Sequence, residues 1–241
     1  MVMKKATLEF NVSEFDGMNF IITKPGEIMQ SFWIGGKYYE PEMIEFIKDN
    51  YKGGMFIDVG SCIGNHTMAF STLADGVISF EPIPFVCFHQ AANLFLSRIR
   101  NVVIYNVGLS NKNGILRANI IGPEWSNLGG GTIQKNGEIK IPVVKLDSFK
   151  FKNVKLMKID VEGHELNVIK GGMKTIKESK PDLFIECSTE KRFKEIYDYL
   201  QSLRVGYKFY DRKVFNNTPT MLFTVRDFDK YKLREREGEK K

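Results

Sequence analysis

The segment Phe56-Ile57-Asp58-Val59-Gly60-Ser61-Cys62-Ile63-Gly64-Asn65 constrains this chain more than any other. Met55 to Val59 is a short apolar run with the character of a buried strand. Apolar residues at helical spacing follow from Ile63 to Leu73. Glycine at 60 and 64 lets the intervening turn take positive φ and approach a ligand closely. The helix that follows offers free N–H groups and the positive end of its dipole. A buried strand, a carboxylate, a glycine turn and a helix together predict one half of a βαβ unit, and cofactors bind at the strand-end crevices of such sheets.

The pattern then repeats. Val77 to Phe80 reads as the next strand and Phe85 to Ile99 as the next helix, with a strand from Asn101 to Val107. Lys155 to Val161 is a fourth strand, with a helix from about 162 to 177. Leu183 to Cys187 is a fifth, with a helix from about 189 to 203. Tyr207 to Tyr210 and Met221 to Val225 are too close for a crossover helix, so they predict an antiparallel hairpin turning at Asn216 to Pro219. The alternation predicts an α/β, Rossmann-like fold whose mainly parallel sheet is covered by helices on both faces. Ahead of it, 5–12 and 18–23 read as a small β extension with a turn at Ser13 to Gly17. Pro41 opens a short amphipathic helix that Gly53-Gly54 ends.

Residues 108–150 break the rhythm. Seven glycines (Gly108, Gly114, Gly122, Gly129, Gly130, Gly131 and Gly137) punctuate apolar alternation near 115–121 and 139–146. This predicts a β-rich excursion with a glycine loop, and 122–137, which carries Trp125, is a candidate lid over a substrate.

The strand after the glycine turn ends in Glu81-Pro82. Its carboxylate lies about 20 residues beyond the turn, the spacing at which an acid reaches a ribose diol. The ligand does not read as a dinucleotide. Cys62 and Asn65 replace the second and third glycines of the G-x-G-x-x-G fingerprint, and Asp58 would repel a diphosphate. A ligand with an ammonium and a sulfonium suits that acid, and S-adenosylmethionine is the cofactor predicted. The expected cofactor-binding set is Asp58, Gly60, Ser61, Gly64, Asn65, Glu81, Pro82, Gly108 and Asp160.

The other dense cluster, Lys158-Ile159-Asp160-Val161-Glu162-Gly163-His164-Glu165, ends the fourth strand. That strand is expected beside Met55–Val59, so its end faces the same crevice. Acids in a first helical turn are favoured by the dipole, which accounts for Glu162 or Glu165 but not for Asp160 on an apolar strand end. His164, Asp160 and Glu162 form the expected catalytic set. His164 is the preferred base, because its ordinary pKa lies near working pH. Asp160 is the alternative base or an orienting group, and a divalent metal on Asp160 and Glu162 is the lesser reading.

With these pieces in place, the chain resembles the FkbM family of methyltransferases. The resemblance rests on the glycine motif 57–64, Phe80-Glu81-Pro82 with Asn93 downstream, and Lys158 to Glu165. Val168-Ile169-Lys170-Gly171-Gly172 and Lys180-Pro181 ahead of Glu186 extend it. It covers about 40–225. It implies a methyltransferase domain over 40–226, preceded by the β extension (1–39) and followed by a charged tail (227–241). It also implies methyl transfer to a hydroxyl, often of a sugar or glycan. Two positions depart from the family pattern. Cys62 replaces a small residue, and His66 stands where an aromatic is common.

The remaining composition narrows the alternatives. Of 241 residues, 43% are hydrophobic, enough for one core, and no apolar run reaches the roughly 20 residues of a membrane span. No secretory signal is recognisable, and Cys62, Cys87 and Cys187 lack disulfide or zinc spacing, so a cytoplasmic setting is expected. The net charge of +6 and the lysines at 135, 140, 145, 150, 152, 155 and 158 support a rival, an RNA methyltransferase. A third class, a cofactor-binding scaffold without chemistry, conflicts with an intact Asp58, Glu81 and Asp160. The expected partner is a small-molecule or glycan substrate.

Overall fold

The computed structural model describes residues 11–23, 27–120, 131–134, 136–210 and 220–228. Two strands, β1 (Asn11–Phe15) and β2 (Met18–Ile22), open it as a hairpin, followed by α1 (Ile28–Ile34) and α2 (Pro41–Asn50). Then come β3 (Met55–Val59), α3 (Asn65–Ser71), β4 (Gly76–Phe80), α4 (Pro84–Leu96) and β5 (Val102–Tyr105). The excursion supplies β6 (Gly108–Leu109), β7 (Gly114–Ile120), β8 (Gly131–Ile133) and β9 (Ile139–Val144). The chain continues with β10 (Val154–Ile159), α5 (Glu165–Gly171), α6 (Met173–Ser179), β11 (Asp182–Glu186), α7 (Glu190–Ser202), β12 (Lys208–Tyr210) and β13 (Thr220–Thr224).

The main sheet has the order β12-β13-β11-β10-β3-β4-β5. From β3 the chain steps outward through β4 to β5, and it returns to β10 on the other side of β3. All these pairings are parallel, as is β10 with β11. Only β13 is antiparallel to its neighbours β11 and β12. The strand order reverses between β3 and β10, the point where open α/β sheets hold ligands at their carboxyl ends.

Alternation along the strands decides what covers each face. Ile57, Val59, Phe80, Met157, Ile159 and Ile185 pack with Val168, Ile176, Phe193 and Ile196 of α5, α6 and α7. On the opposite face, Phe56, Val77, Leu156, Phe184 and Leu222 pack with Met43, Phe46 and Ile47 of α2 and Phe70 of α3. Fully burying one such Leu or Phe is worth roughly 1.5–3 kcal/mol. That second face turns polar toward its carboxyl end, where Asp58, Ser79 and Lys158 are buried.

Several expected boundaries move. The first strand runs to Phe15, and the turn is the pair Asp16-Gly17, with φ of 54° and 72°. A two-residue hairpin turn of this kind needs positive φ at both positions, and Asp-Gly supplies it; residues 5–10 lie outside the described residues. Helix α1 was not expected at all. The single helix expected from about 162 to 177 is two helices. Residues 162–164 form a turn, with Glu162 and Gly163 at φ 53° and 98°. The two helices meet at Gly171-Gly172, and Gly171 lies so close to Ser110 that a Cβ there would overlap its carbonyl oxygen.

The excursion is indeed β-rich: β6-β9-β7-β8 form a second sheet. Its Ala118, Ile141 and Val143 pack near Ile83 and Val86, beside the end of β4. Most of the expected lid, including Trp125, lies outside the described residues, as do the turn 216–219 and the tail beyond 228. Among the described residues, no helix is long and apolar enough to cross a membrane.

Candidate active site at the carboxyl ends of β3 and β10

Two loops meet where the strand order reverses. Gly60 has φ 80°, and a Cβ there would overlap the carbonyl oxygen of Asp160. Gly60 N and Ser61 N donate to Phe80 O at 3.0 and 3.1 Å, and Asp160 N donates to Val59 O at 3.0 Å. Two residues without glycine's freedom, Cys62 (φ 49°) and Glu162 (φ 53°), are also left-handed here. Such positions cost roughly 1–3 kcal/mol each and cluster at functional sites.

A cavity opens on each side of this joint. The first is mainly apolar, with Ile83, Leu109, Ala118, Ile133, Ile141 and Val143 in its walls. Asp160 and Glu162 border it at the joint, and Glu81, 5% exposed, stands at its β4 side. Its Oε2 accepts from Cys62 N at 3.0 Å and its Oε1 from Ile83 N at 2.8 Å. Burial drives the Glu81 pKa up to about 7 against the pull of those N–H groups, and Asp58 adds a smaller push.

The second cavity is lined by charge, including Glu27, Glu40, Lys158, Asp160, Glu162 and Glu186. Lys158 is 1% exposed. Its Nζ donates to Asp160 Oδ2 at 2.7 Å and lies 3.8 Å from Glu40 Oε2. Glu40 Oε2 is 3.1 Å from His66 Nε2, and Glu40 Oε1 accepts from Thr220 Oγ1 at 3.0 Å. Burial pulls the Lys158 pKa down, but Asp160, Glu40 and Asp58 outweigh it and hold it above the ordinary value. Burial likewise raises Glu40, yet Lys158 and His66 prevail and hold it at about 2. Oxygens of Asp160, Glu162 and Glu186 lie within 4.8 Å of one another. Glu186 is pushed up to about 8, first by burial and then by Asp160, Glu162 and Glu165.

The expected residues divide between these surroundings. Glu81, Pro82, Gly108 and His164 line the apolar cavity, Ser61 lines the charged one, and Gly60, Asp160 and Glu162 line both. Asp58, Gly64 and Asn65 line neither. Asp58 is fully buried and accepts from Thr67 Oγ1 at 2.6 Å. Asn65 is engaged elsewhere: its Oδ1 accepts from Trp33 Nε1 and Tyr39 N, and its Nδ2 donates to Tyr39 O. Asn93 likewise joins β2 to the glycine turn, accepting from Ile21 N and donating to Ile63 O.

His164 sits with Nε2 2.9 Å from Ser110 Oγ and Nδ1 3.2 Å from Asn167 Nδ2. Since the Asn167 amide donates to Nδ1, the Nε2–H donates to Ser110, and neither nitrogen is left over. Glu165 Oε1 accepts from Gly163 N and Val161 N, as an acid at a helix start does. Sequence reasoning passed over Glu27, Tyr39, Glu40 and Glu186 as lining groups. For Glu186 the signal was present, an acid ending an apolar strand as Asp160 does. Glu27 and Glu40 precede helices without any local pattern that marks a site.

A parallel sheet that reverses at β3, a carboxylate at the end of β4 and an antiparallel β13 define a Rossmann-like methyltransferase fold. The crystal structure of methyltransferase FkbM from Methylobacillus flagellatus superposes with a TM-score of 0.58 at 16% identity, covering 80% of this chain and 49% of that one. This chain thus spans about half that protein's length. A putative methyltransferase from Streptococcus mutans in complex with SAH gives a TM-score of 0.47 at 16% identity, covering 75% of this chain and 93% of its own. An rRNA methylase from Streptococcus thermophilus gives 0.48 at 14% identity, covering 77% and 96%. No curated protein matches the chain in sequence. The family model for the methyltransferase FkbM domain matches residues 58–209. The chain therefore belongs to the FkbM methyltransferase family, whose cofactor is S-adenosylmethionine.

Proposed function

We propose that this protein transfers a methyl group from S-adenosylmethionine to a hydroxyl of an uncharged polyol such as a sugar. The observation that carries this reading is the pairing of one apolar and one carboxylate-rich cavity across the Gly60–Asp160 joint. The apolar cavity suits a nucleoside. Each Glu81 oxygen accepts one backbone N–H and keeps a lone pair for one ribose hydroxyl. The charged cavity suits the methionine end and the acceptor. When bound, the cofactor supplies a methyl on a sulfonium, with a neutral thioether as leaving group.

The chain's own residues then position the acceptor and remove its proton. Glu186 is the base of this proposal, in place of His164. Its pKa of about 8 lies near working pH, it faces the charged cavity, and its Oε2 has no hydrogen-bond partner. The acceptor's proton passes to that carboxylate as its oxygen attacks. Asp160, held by Lys158, and Glu162 orient the acceptor from the joint. His164, between Ser110 and Asn167, holds the wall of the apolar cavity. The carboxylate-rich lining also weighs against an RNA acceptor, since phosphates would be repelled there. Lys140, Lys145, Lys150, Lys152 and Lys155 line neither cavity, and Lys158 is committed to Asp160.

The test is turnover on sugar, lipid and RNA pools with labelled cofactor. Glu186→Gln should cost about 100-fold in kcat, as for the loss of one general base, with cofactor affinity retained. Full turnover in the folded variant would exclude Glu186 as the base. The spacing of Asp160, Glu162 and Glu186 supports a second reading, in which they hold a divalent cation that acidifies the hydroxyl. Loss of activity with a chelator, restored by added metal, would favour it.

A further inference from the structure

One charged group in the second cavity is used by neither the ion-pair network nor the acceptor chemistry. Glu27 is fully buried, its side chain lines that cavity with Ser61 and Cys62 of the glycine turn, and its charge is felt at the Cys62 thiol. Its Oε2 accepts from Gln30 N at 2.9 Å and caps α1, which fixes the direction of the carboxylate. Its Oε1 has no hydrogen-bond partner. Leaving a buried carboxylate oxygen without a donor is costly, and such groups call for an explanation. Among the described residues no cation pairs with Glu27. Lys158, the cation of the lining, is committed to Asp160 and Glu40, and His66 Nε2 lies 3.1 Å from Glu40 Oε2.

The missing partner must be a donor, must carry positive charge, and must reach the glycine turn from the joint that both cavities share. A sulfonium has charge but no N–H. An α-ammonium has both. We propose that Glu27 receives the α-ammonium of the cofactor's methionine moiety, so that the N-terminal segment, outside the matched residues 58–209, completes the cofactor site. This rests on the assignment of the nucleoside to the apolar cavity and the methionine end to the charged one. A cap that was only a cap would need a short acceptor and no second oxygen. Here the second oxygen is buried without a donor in a residue that lines the cavity.

Calorimetry on the full chain tests this with two ligands, S-adenosylhomocysteine and 5′-methylthioadenosine, which lacks the aminocarboxylate. Glu27→Gln keeps the cap acceptor and removes the charge. It should weaken S-adenosylhomocysteine about 10- to 100-fold, the range for a charge-assisted hydrogen bond, and leave methylthioadenosine unchanged. Glu27→Ser, which restores an N-cap by another route, should show the same split. Glu81→Gln should weaken both ligands equally, since both carry the ribose. Unchanged affinity for S-adenosylhomocysteine in Glu27→Gln, or an equal loss for both ligands, overturns the proposal. A wild-type chain that binds neither ligand overturns the cavity assignment, and the proposal with it.

Discussion

The two cavities share Gly60, Cys62, Asp160 and Glu162, yet they are built on opposite physical terms. The apolar one is walled by side chains of the second sheet and the β4–α4 turn, and away from the joint its carboxylate is Glu81, pinned by two backbone N–H groups. The charged one is a mesh of side chains from distant segments: Glu40 ahead of α2, His66 in α3, Lys158 in β10, Glu186 in β11 and Thr220 in β13. The first needs shape and one fixed acceptor. In the second, Glu40, Lys158 and Asp160 depend on one another, because a buried charge that loses its partner is costly. On the function proposed above, nucleoside binding and proton transfer fall on opposite sides of one backbone joint.

The joint itself is where the comparison breaks most completely. Gly60→Ala places a Cβ against the Asp160 carbonyl in a left-handed conformation. The conformation alone costs roughly 1–3 kcal/mol, and the overlap pushes β3 and β10 loops apart. Thermal unfolding should shift down, and any folded fraction should lose affinity for S-adenosylhomocysteine and methylthioadenosine together. Normal binding of either ligand would mean the cavities are independent.

Lys158→Met separates them. It leaves Glu40 and Asp160 without their common cation and should destabilise the protein by about 3–5 kcal/mol, the cost of breaking a buried pair. Chemical denaturation would measure it. The pH dependence has a definite sign. The Glu40 pKa of about 2 lies below the 4.5 of an ordinary glutamate, so the folded state holds the charge more readily than the unfolded chain. That stability is present above about pH 4.5 and is lost as pH falls toward 2. Glu40→Gln should remove this part of the acid limb, and an unaltered limb would show that Glu40 does not carry it. Methylthioadenosine, bound on the other side, should respond least.

The same contrast explains what the sequence made legible. Contiguous signals carried the apolar cavity and the joint: an apolar strand ending in Asp58, a glycine at 60, Glu81-Pro82 at the next strand end, and the block from Lys158 to Glu165. The hydrophobic period carried the parallel sheet and its antiparallel closing pair. The charged cavity was only half legible, because its partners lie far apart in sequence. Thr220 lies 180 positions from Glu40, and nothing local announces that pairing. Asn65 shows the converse. It sits in the most informative motif of the chain, yet it ties Trp33 and Tyr39 to the core. A motif fixes the course of the backbone, while the direction of each side chain depends on what packs beside it.

His164 gives the finest test of the division. It borders the apolar cavity, and its ring bridges Ser110 and Asn167. As a wall residue it contributes two neutral hydrogen bonds, worth together about 1–2 kcal/mol. Burial holds its pKa below 6.5, so the unfolded chain takes up a proton first as pH falls. Its contribution is therefore present above about pH 6.5 and fades on acidification below it. His164→Ala should lower stability by that modest amount at neutral pH and flatten this part of the profile, while kcat changes by less than about tenfold. A loss nearer 100-fold in a folded variant, the size expected for a missing general base, would return the base to His164. Proton transfer would then have to pass through the nucleoside side of the joint, and the separation of the two cavities would fail.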